Sequence, residues 1–158
     1  LREYACKALE AMYQEMHAAG YYNMAVYSGF RTYNYQAMLF ETYTGNEMAK
    51  DPSLTKEEAE AIVLTYSTRP GTSEHQLGLA VDIVDASYQH LDEQQESTPV
   101  QQWLMEHCAE YGFIIRYPKG KTDITGYAYE PWHLRYVGVE AATEIMEQGI
   151  TLEEYLGR

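Results

Sequence analysis

Four side chains stand out because their types suit acid–base or metal chemistry and their neighbours could bring them together. His75 lies in a turn-rich stretch, and Asp82 follows it inside an apolar strand candidate. Glu130 and His133 flank a proline, Pro131. A carboxylate among apolar neighbours is costly to bury unless it is paired or bound to a metal. On an edge strand Asp82 could instead point to solvent, so Asp82 alone is weak support for a site.

Two imidazoles and one carboxylate make a suitable set of protein ligands for a catalytic zinc, with a fourth position left for water. His75, Asp82 and His133 could form that set, and Glu130 could then be the general base for the water. On a regular strand Glu130 and His133 would face opposite sides. Because Pro131 disfavours a regular strand and bends the chain, both could face one site. The spacing is compatible with zinc, and other divalent ions fit the same ligands.

An arginine and a glutamine upstream form a second candidate group. Arg31 follows the first strand candidate, and Gln36 opens the second predicted helix. An arginine in a turn after a strand can hold a carboxylate through two hydrogen bonds. A surface ion pair is the alternative in so acidic a chain, and for these residues taken alone it is the favoured interpretation.

The elements that must position these residues follow from apolar periodicity and turn residues. Helices are predicted at residues 1–19, 33–43, 55–66, 99–111, 139–148 and 151–156. Strands are predicted at 23–28, 79–84 and 113–117, with two short pieces at 127–130 and 133–137 separated by Pro131. Gly45 is expected to end the second helix, Thr55 to begin the third with a capping box, and Gly112 to follow the fourth. Because helices and strands do not alternate regularly, the fold class is α+β, with a small antiparallel sheet flanked by helices.

Composition narrows the function classes. The chain has 158 residues, which is the size of one domain, and its net charge is −13. That charge argues against nucleic acid and against a polybasic membrane contact. Cys6 and Cys108 are too few for a disulfide framework; they could form one bridge, but two buried free thiols are favoured. Leu1 opens directly into a helical pattern, as in a mature fragment, so the compartment stays open.

Three segments together resemble the VanY-type D-alanyl-D-alanine carboxypeptidases. These are zinc peptidases related to the VanX dipeptidases and to the zinc domain of hedgehog proteins. The matching segments are Ser-Gly-Phe-Arg at 28–31 with Gln36, Ser-Glu-His at 73–75 leading to Asp82, and Glu-Pro-Trp-His at 130–133 followed by Arg-Tyr. They occur in the family's order. The combination of Ser-x-His-x(6)-Asp with Glu-x-x-His is specific, whereas either half alone is weak.

The resemblance implies a metal centre and its base. His75, Asp82 and His133 would bind zinc in a cleft on the sheet. Glu130 would activate the water and later pass its proton to the departing amine. Residues 1–158 would form a single domain of this kind.

The resemblance also implies a substrate pocket. Arg31 would polarise the scissile carbonyl or hold the terminal carboxylate of the substrate. Ser73 and Gln36 would complete the carboxylate pocket, and Trp132 and Tyr117 would line the cleft. An arginine beside the bond that is cut would explain recognition of a chain end.

The implied activity is zinc-dependent removal of the C-terminal D-Ala from peptidoglycan stem peptides. One alternative is an L,D-carboxypeptidase acting on tetrapeptide stems that end in L-Lys-D-Ala; another is a non-catalytic zinc-binding domain of the same fold. The partner would be the stem peptide, and no nucleic acid is expected. The substrate implies the outer face of a bacterial membrane or the cell wall, with any membrane contact through a segment absent from this chain. The oligomeric state stays open.

Overall fold

The computed structural model describes residues 1–157. Within them the strands are β1 (Met24–Ser28), β2 (Ala80–Asp85), β3 (Phe113–Tyr117) and β4 (Glu130–Tyr136). The α-helices are α1 (Glu3–Ala18), α2 (Tyr33–Lys50), α3 (Lys56–Val63), α4 (Pro99–His107), α5 (Thr122–Thr125), α6 (Val139–Gln148) and α7 (Leu152–Tyr155). Short 3-10 helices lie at Glu74–Leu77, Glu93–Ser97 and Cys108–Tyr111.

The strands form one antiparallel sheet in the order β1-β2-β4-β3, which confirms the predicted α+β class. One face of the sheet carries the main core. Met12 and Met16 of α1 and Leu104 of α4 pack there against Val81 and Leu134 of the inner strands. These apolar side chains leave the other face of β2 and β4 for polar groups, because successive strand residues point to opposite faces.

Helix signals in the sequence are largely confirmed. Thr55 caps α3 with the predicted capping box, and Thr98 accepts a hydrogen bond at the start of α4. Gly112 follows the helical stretch with φ +81, and an added Cβ would lie 2.9 Å from the ring of Tyr136, so glycine is required there. The predicted end of the second helix is wrong. The helix continues through Gly45 to Lys50, since one interior glycine costs only about 1 kcal/mol.

The strand prediction around Pro131 needs one correction. The two expected short pieces are one strand, β4, which runs through the proline. The register opposite β3 shifts there: Ile115 pairs with Leu134, but Tyr117 pairs with Glu130. Two extra residues of β4 are therefore accommodated in a bulge, the position at which an inner strand tolerates proline. The connection from β3 to β4 contains the short helix α5.

Two further expectations concern the cysteines and the membrane. Cys6 and Cys108 are both free thiols, as expected; Cys108 is buried as expected, but Cys6 is only partly buried. Within residues 1–157, the helices are all too short or too polar to cross a lipid bilayer.

Candidate metal centre and cleft

Asp82 is the central residue of the candidate site. It lies on the inner strand β2, and only 2% of its surface is exposed. Its neighbours in the sheet are Ser28 on β1 and His133 on β4. Because Val81 and Ile83 point into the main core, the Asp82 side chain emerges on the opposite face. The alternative of an edge-strand aspartate pointing to solvent is excluded.

His75, Asp82 and His133 bring their ligand atoms to one point. Nε2 of His75 lies 3.3 Å from Oδ2 of Asp82, and Nδ1 of His133 lies 3.0 Å from Oδ1. The potential ligand atoms of all three residues lie within 4.8 Å of one another. Zinc bonds of about 2.0–2.2 Å in a tetrahedron separate neighbouring ligand atoms by about 3.3 Å. The three buried side chains therefore fit a zinc ion.

The two histidines present different ring nitrogens to Asp82: Nε2 in His75 and Nδ1 in His133. Nδ1 of His75 is 2.7 Å from the carbonyl oxygen of Gly29, so a proton donated there leaves Nε2 free for a metal. His133 instead directs Nδ1 towards Asp82 and Nε2 towards Oε2 of Glu74, at 3.6 Å. His75 comes from the 3-10 helix before Gly78, whose φ of +69 and backbone contact with Arg2 favour glycine.

The electrostatics of the centre favour a cation. Burial opposes ionisation of Asp82, but hydrogen bonds with His133 and His75 outweigh it and hold the pKa of Asp82 well below its usual range. Burial likewise disfavours a charged His133, but the hydrogen bond to Asp82 and the nearby carboxylate of Glu74 raise the pKa of that ring to about 10. The carboxylates thus stabilise positive charge where the ligand atoms meet, which is what a divalent ion supplies.

Glu130 lies beside this centre because β4 bulges at Pro131. Its Oε2 is 3.9 Å from Nδ1 of His133, although three residues separate them along the strand. Burial raises the pKa of Glu130 to about 7, against the opposing effect of His133. A carboxyl group with that pKa can both take up and release a proton near neutral pH.

Arg31 enters the same cleft from the end of β1. Its Nη2 donates to Oδ2 of Asp82 at 2.8 Å, and its Nε donates to the hydroxyl of Ser28 at 2.8 Å. Its Nη1 is 3.4 Å from Oε1 of Gln36. Gln36 is fully buried and donates to the carbonyl oxygen of Thr68 at 2.9 Å. The favoured surface interpretation of Arg31 is therefore wrong.

The cleft has a volume of about 330 Å³. Every site residue predicted from the sequence lines it: Arg31, Gln36, Ser73, His75, Asp82, Tyr117, Glu130, Trp132 and His133. Ser73 and Tyr117 are buried, and the ring centroids of Tyr117 and His133 are 5.0 Å apart. Tyr43, Tyr66, Tyr127 and Tyr129 add an aromatic wall that the sequence analysis did not assign to the site.

Sequence reasoning also did not assign four polar residues beside the centre, of which Arg116 and Gln101 are buried and Glu74 and Arg135 are partly buried. Glu74 accepts a hydrogen bond from Arg116 and forms an ion pair with Arg135, and Gln101 donates to the carbonyl oxygen of Pro131. Arg116 carried a usable signal, since a charge within the apolar strand of residues 113–117 is as unusual as Asp82 within β2. Gln101 carried none, because a glutamine on a helix is ordinarily exposed.

Comparisons with known proteins agree with this geometry. The family model described as VanY, D-alanyl-D-alanine carboxypeptidase, matches residues 1–139. A protein of Enterococcus faecalis (strain ATCC 700802 / V583) named D-alanyl-D-alanine carboxypeptidase is 45% identical over 94% of this chain. The chain covers 52% of that relative and spans about half the length, or less, of the curated relatives it matches.

Two solved structures have the same fold. A mutant of the vancomycin resistance D,D-pentapeptidase VanY from a VanB-type resistance cassette, in complex with Zn(II), is 43% identical and superposes with a TM-score of 0.83. That match covers 96% of this chain and 81% of the other. The LD-carboxypeptidase LdcB is 42% identical with a TM-score of 0.84, over 99% of this chain and 68% of the other.

Proposed function

Because this chain belongs to the VanY family of D-alanyl-D-alanine carboxypeptidases, we propose that it removes the C-terminal D-Ala from peptidoglycan stem peptides in a zinc-dependent reaction. One observation carries the proposal. The ligand atoms of His75, Asp82 and His133 converge beside the buried Glu130 in a single cleft. This combination supplies a metal and a proton acceptor at one point, as metal-assisted hydrolysis requires.

His75, Asp82 and His133 would hold the zinc ion, which supplies a Lewis acid able to make water deprotonate near neutral pH. Glu130 takes the proton as water attacks the last peptide carbonyl. Glu130 then delivers that proton to the nitrogen of the departing D-Ala, so the carboxyl group returns to its starting state. Burial raises the pKa of Glu130 in the metal-free protein to about 7, and a bound cation would favour the carboxylate form that accepts the proton.

Arg31 is the proposed anchor for the reacting end of the substrate. Its guanidinium faces the cleft with 16% of the side chain exposed, and it can either hold the terminal carboxylate or stabilise the oxyanion. Gln36 supports it from behind, since its amide oxygen faces Arg31 and its amide nitrogen is bound to Thr68. Ser73 completes the carboxylate pocket, and Tyr117 and Trp132 line the cleft around the peptide.

The second candidate function is L,D-carboxypeptidase activity, favoured by the similarity to LdcB. A stem ending in L-Lys-D-Ala would need a carboxylate for the lysine side chain. Within residues 1–157 the carboxylates lining the cleft are Glu74, Asp82 and Glu130. Glu74 and Asp82 are already paired with arginines, and Glu130 is the proposed base. This favours a neutral D-Ala before the bond that is cut. A zinc-binding domain without turnover is the third possibility.

Zinc-loaded protein incubated with synthetic stem peptides tests these alternatives. One peptide is a pentapeptide ending in D-Ala-D-Ala, and the other is a tetrapeptide ending in L-Lys-D-Ala, each with and without chelator. We expect chelator-sensitive loss of one D-Ala from the pentapeptide, measured by mass spectrometry. Cleavage of the tetrapeptide alone would move the assignment to the L,D reaction. Zinc binding with neither peptide cleaved would contradict the catalytic proposal.

The setting of the protein follows from its proposed substrate. Stem peptides lie outside the bacterial cell membrane, so we propose that the protein acts at the extracellular face of that membrane or in the cell wall. No nucleic acid partner is expected for so acidic a chain. The single sheet with helices around it supports one domain over residues 1–158, of which Arg158 lies outside the described residues.

A further inference from the structure

Glu74 lies between one proposed ligand, His133, and two arginines, Arg116 and Arg135. Its Oε1 accepts a hydrogen bond from Nε of Arg116 at 2.8 Å and forms an ion pair with Nη1 of Arg135, also at 2.8 Å. Its Oε2 lies 3.6 Å from Nε2 of His133. Both of these facing atoms are buried, and neither has a hydrogen-bond partner among residues 1–157.

Nε2 of His133 can donate and Oε2 of Glu74 can accept, so these two buried, unpartnered atoms are suited to bond with each other. If a metal binds Nδ1 of His133, the remaining ring proton is on Nε2. That N–H points towards Oε2 of Glu74, which as a carboxylate oxygen can only accept. A displacement of a few tenths of an ångström closes the 3.6 Å gap to a hydrogen bond.

We propose that Glu74 is a positioning residue for the metal centre, accepting a hydrogen bond from Nε2–H of His133 and so holding Nδ1 towards the ion. The inference rests on the proposed zinc site and deepens it. The ring orientation of His133 is then set by a carboxylate, whereas a backbone carbonyl sets that of His75. Such a carboxylate partner fixes the tautomer and makes the imidazole a better ligand.

Glu74 is itself held by positive charges from two strands. Arg135 lies on β4 and Arg116 on β3, and both side chains are at least 85% buried. Arg116 also makes a two-pronged contact with Glu153 on α7, one arm of which measures 3.0 Å. Through Arg116 the C-terminal helix is therefore connected to the metal centre, although α7 lies beyond the residues matched by the family model.

The competing explanation is that Glu74 only neutralises two buried arginines. Glu74→Gln separates the two roles. The arginines require an acceptor at the position of Oε1, so the amide oxygen of the glutamine will take that place. The amide nitrogen then faces Nε2–H of His133, donor against donor. The glutamine thus opposes the His133 tautomer needed at the metal while still satisfying the arginines.

The experiment measures zinc affinity by chelator competition, without any peptide, in the wild-type protein and two variants. We expect Glu74→Gln to weaken zinc binding by about 10- to 100-fold, the usual effect of losing such a partner. The matched control is Glu96→Gln, which makes the same change in a carboxylate paired with Lys119 outside the cleft. Its zinc affinity is expected to match the wild type. A Glu74→Gln affinity within about twofold of wild type would overturn the inference.

A second measurement needs no variant, in case Glu74→Gln fails to fold. The imidazole nitrogens of His133 are observed by NMR in the zinc-loaded wild type and identified through the contact of the ring with Tyr117. We expect a solvent-protected proton on Nε2, and a proton on Nδ1 would overturn the inference. If the wild type binds no zinc, the proposed function itself fails. If it binds zinc and cleaves peptide while Glu74→Gln is unaffected, only the role of Glu74 fails.

Discussion

The two sides of Asp82 are built in different ways. Towards β1, the side made by residues 28–36 is held by contacts close in sequence, such as those of Arg31 with Ser28 and Gln36. Towards β4, the side made by residues 130–135 depends on distant residues. Glu74 meets His133 and the two arginines there, and Gln101 of α4 donates to the carbonyl oxygen of Pro131.

Both sides depart from regular strand pairing next to the site. On β1 the register shifts between Val26 and Ser28, and on β4 it shifts between Glu130 and Leu134. Only β2, which carries Asp82, runs regularly between them. A bulge changes the direction in which nearby side chains point. The regular strand β2 therefore fixes the position of Asp82, while the bulges on β1 and β4 set the directions of the side chains around it. The β4 side, with fewer local contacts, should be the more sensitive to substitution at a distance.

The largest effect is expected from removing the ligand on the β4 side. His133→Ala takes away one of three proposed ligands, so the protein should lose bound zinc and all measurable peptidase activity. Zinc content by elemental analysis and D-Ala release are the two measurements. His107→Ala, at the exposed end of α4, is the matched control and should retain both. Full zinc occupancy in purified His133→Ala would remove this residue from the ligand set.

On the β4 side, Glu130→Gln distinguishes the proposed base from the proposed metal ligand His133, because it separates proton transfer from metal binding. The amide keeps the shape of the side chain but has no carboxylate to take a proton. We expect kcat to fall by about 10²- to 10⁴-fold, with zinc content unchanged. Glu140→Gln, an exposed glutamate at the start of α6, serves as the control for the same chemical change. Near-normal turnover in Glu130→Gln would show that another group is the base.

Arg31→Lys tests the β1 side. A lysine keeps the positive charge, but it lacks the planar fork that reaches Ser28, Gln36 and Asp82 together. We expect kcat/KM to fall by about 10²-fold, with zinc retained. A change mainly in KM would indicate a hold on the terminal carboxylate, and a change mainly in kcat would indicate stabilisation of the oxyanion. Arg69→Lys, in an exposed pair with Glu60, is the control; equal losses in both variants would contradict the role of Arg31.

The contrast between local and distant contacts also explains which parts of the site could be predicted from the sequence. On the β1 side, Arg31 and Gln36 lie five residues apart, so a local pattern contains both residues, although their contacts with Asp82 and Thr68 join distant segments. An irregularity at Pro131 could also be predicted from the sequence, because proline disfavours regular strand pairing. The pairing of Glu74 with Arg116 joins residues 42 positions apart, and no local pattern encodes it. The continuation of α2 past Gly45 was missed because a single interior glycine costs only about 1 kcal/mol, which is too little to end a helix.

The smallest effect is expected at Gln101, the most remote support of the β4 side. Gln101→Met keeps the volume of the side chain but leaves the carbonyl oxygen of Pro131 without its donor, at a cost of about 1–3 kcal/mol. Because this carbonyl lies in the bulge between Glu130 and Trp132, the base should be less well positioned. We expect kcat to fall by roughly 10-fold with zinc retained.

Urea unfolding and peptide turnover of the zinc-loaded protein measure the two effects separately. Gln102→Met, the exposed neighbour on α4, should change neither. If Gln101→Met loses stability but keeps full turnover, the bulge is held by its own residues and α4 contributes only to folding. If turnover falls as expected, the position of Glu130 depends on a helix from the opposite face of the sheet. The β4 side would then depend on a helix across the sheet, whereas the β1 side depends on its own turn and on the contacts of Arg31 with Asp82 and of Gln36 with Thr68.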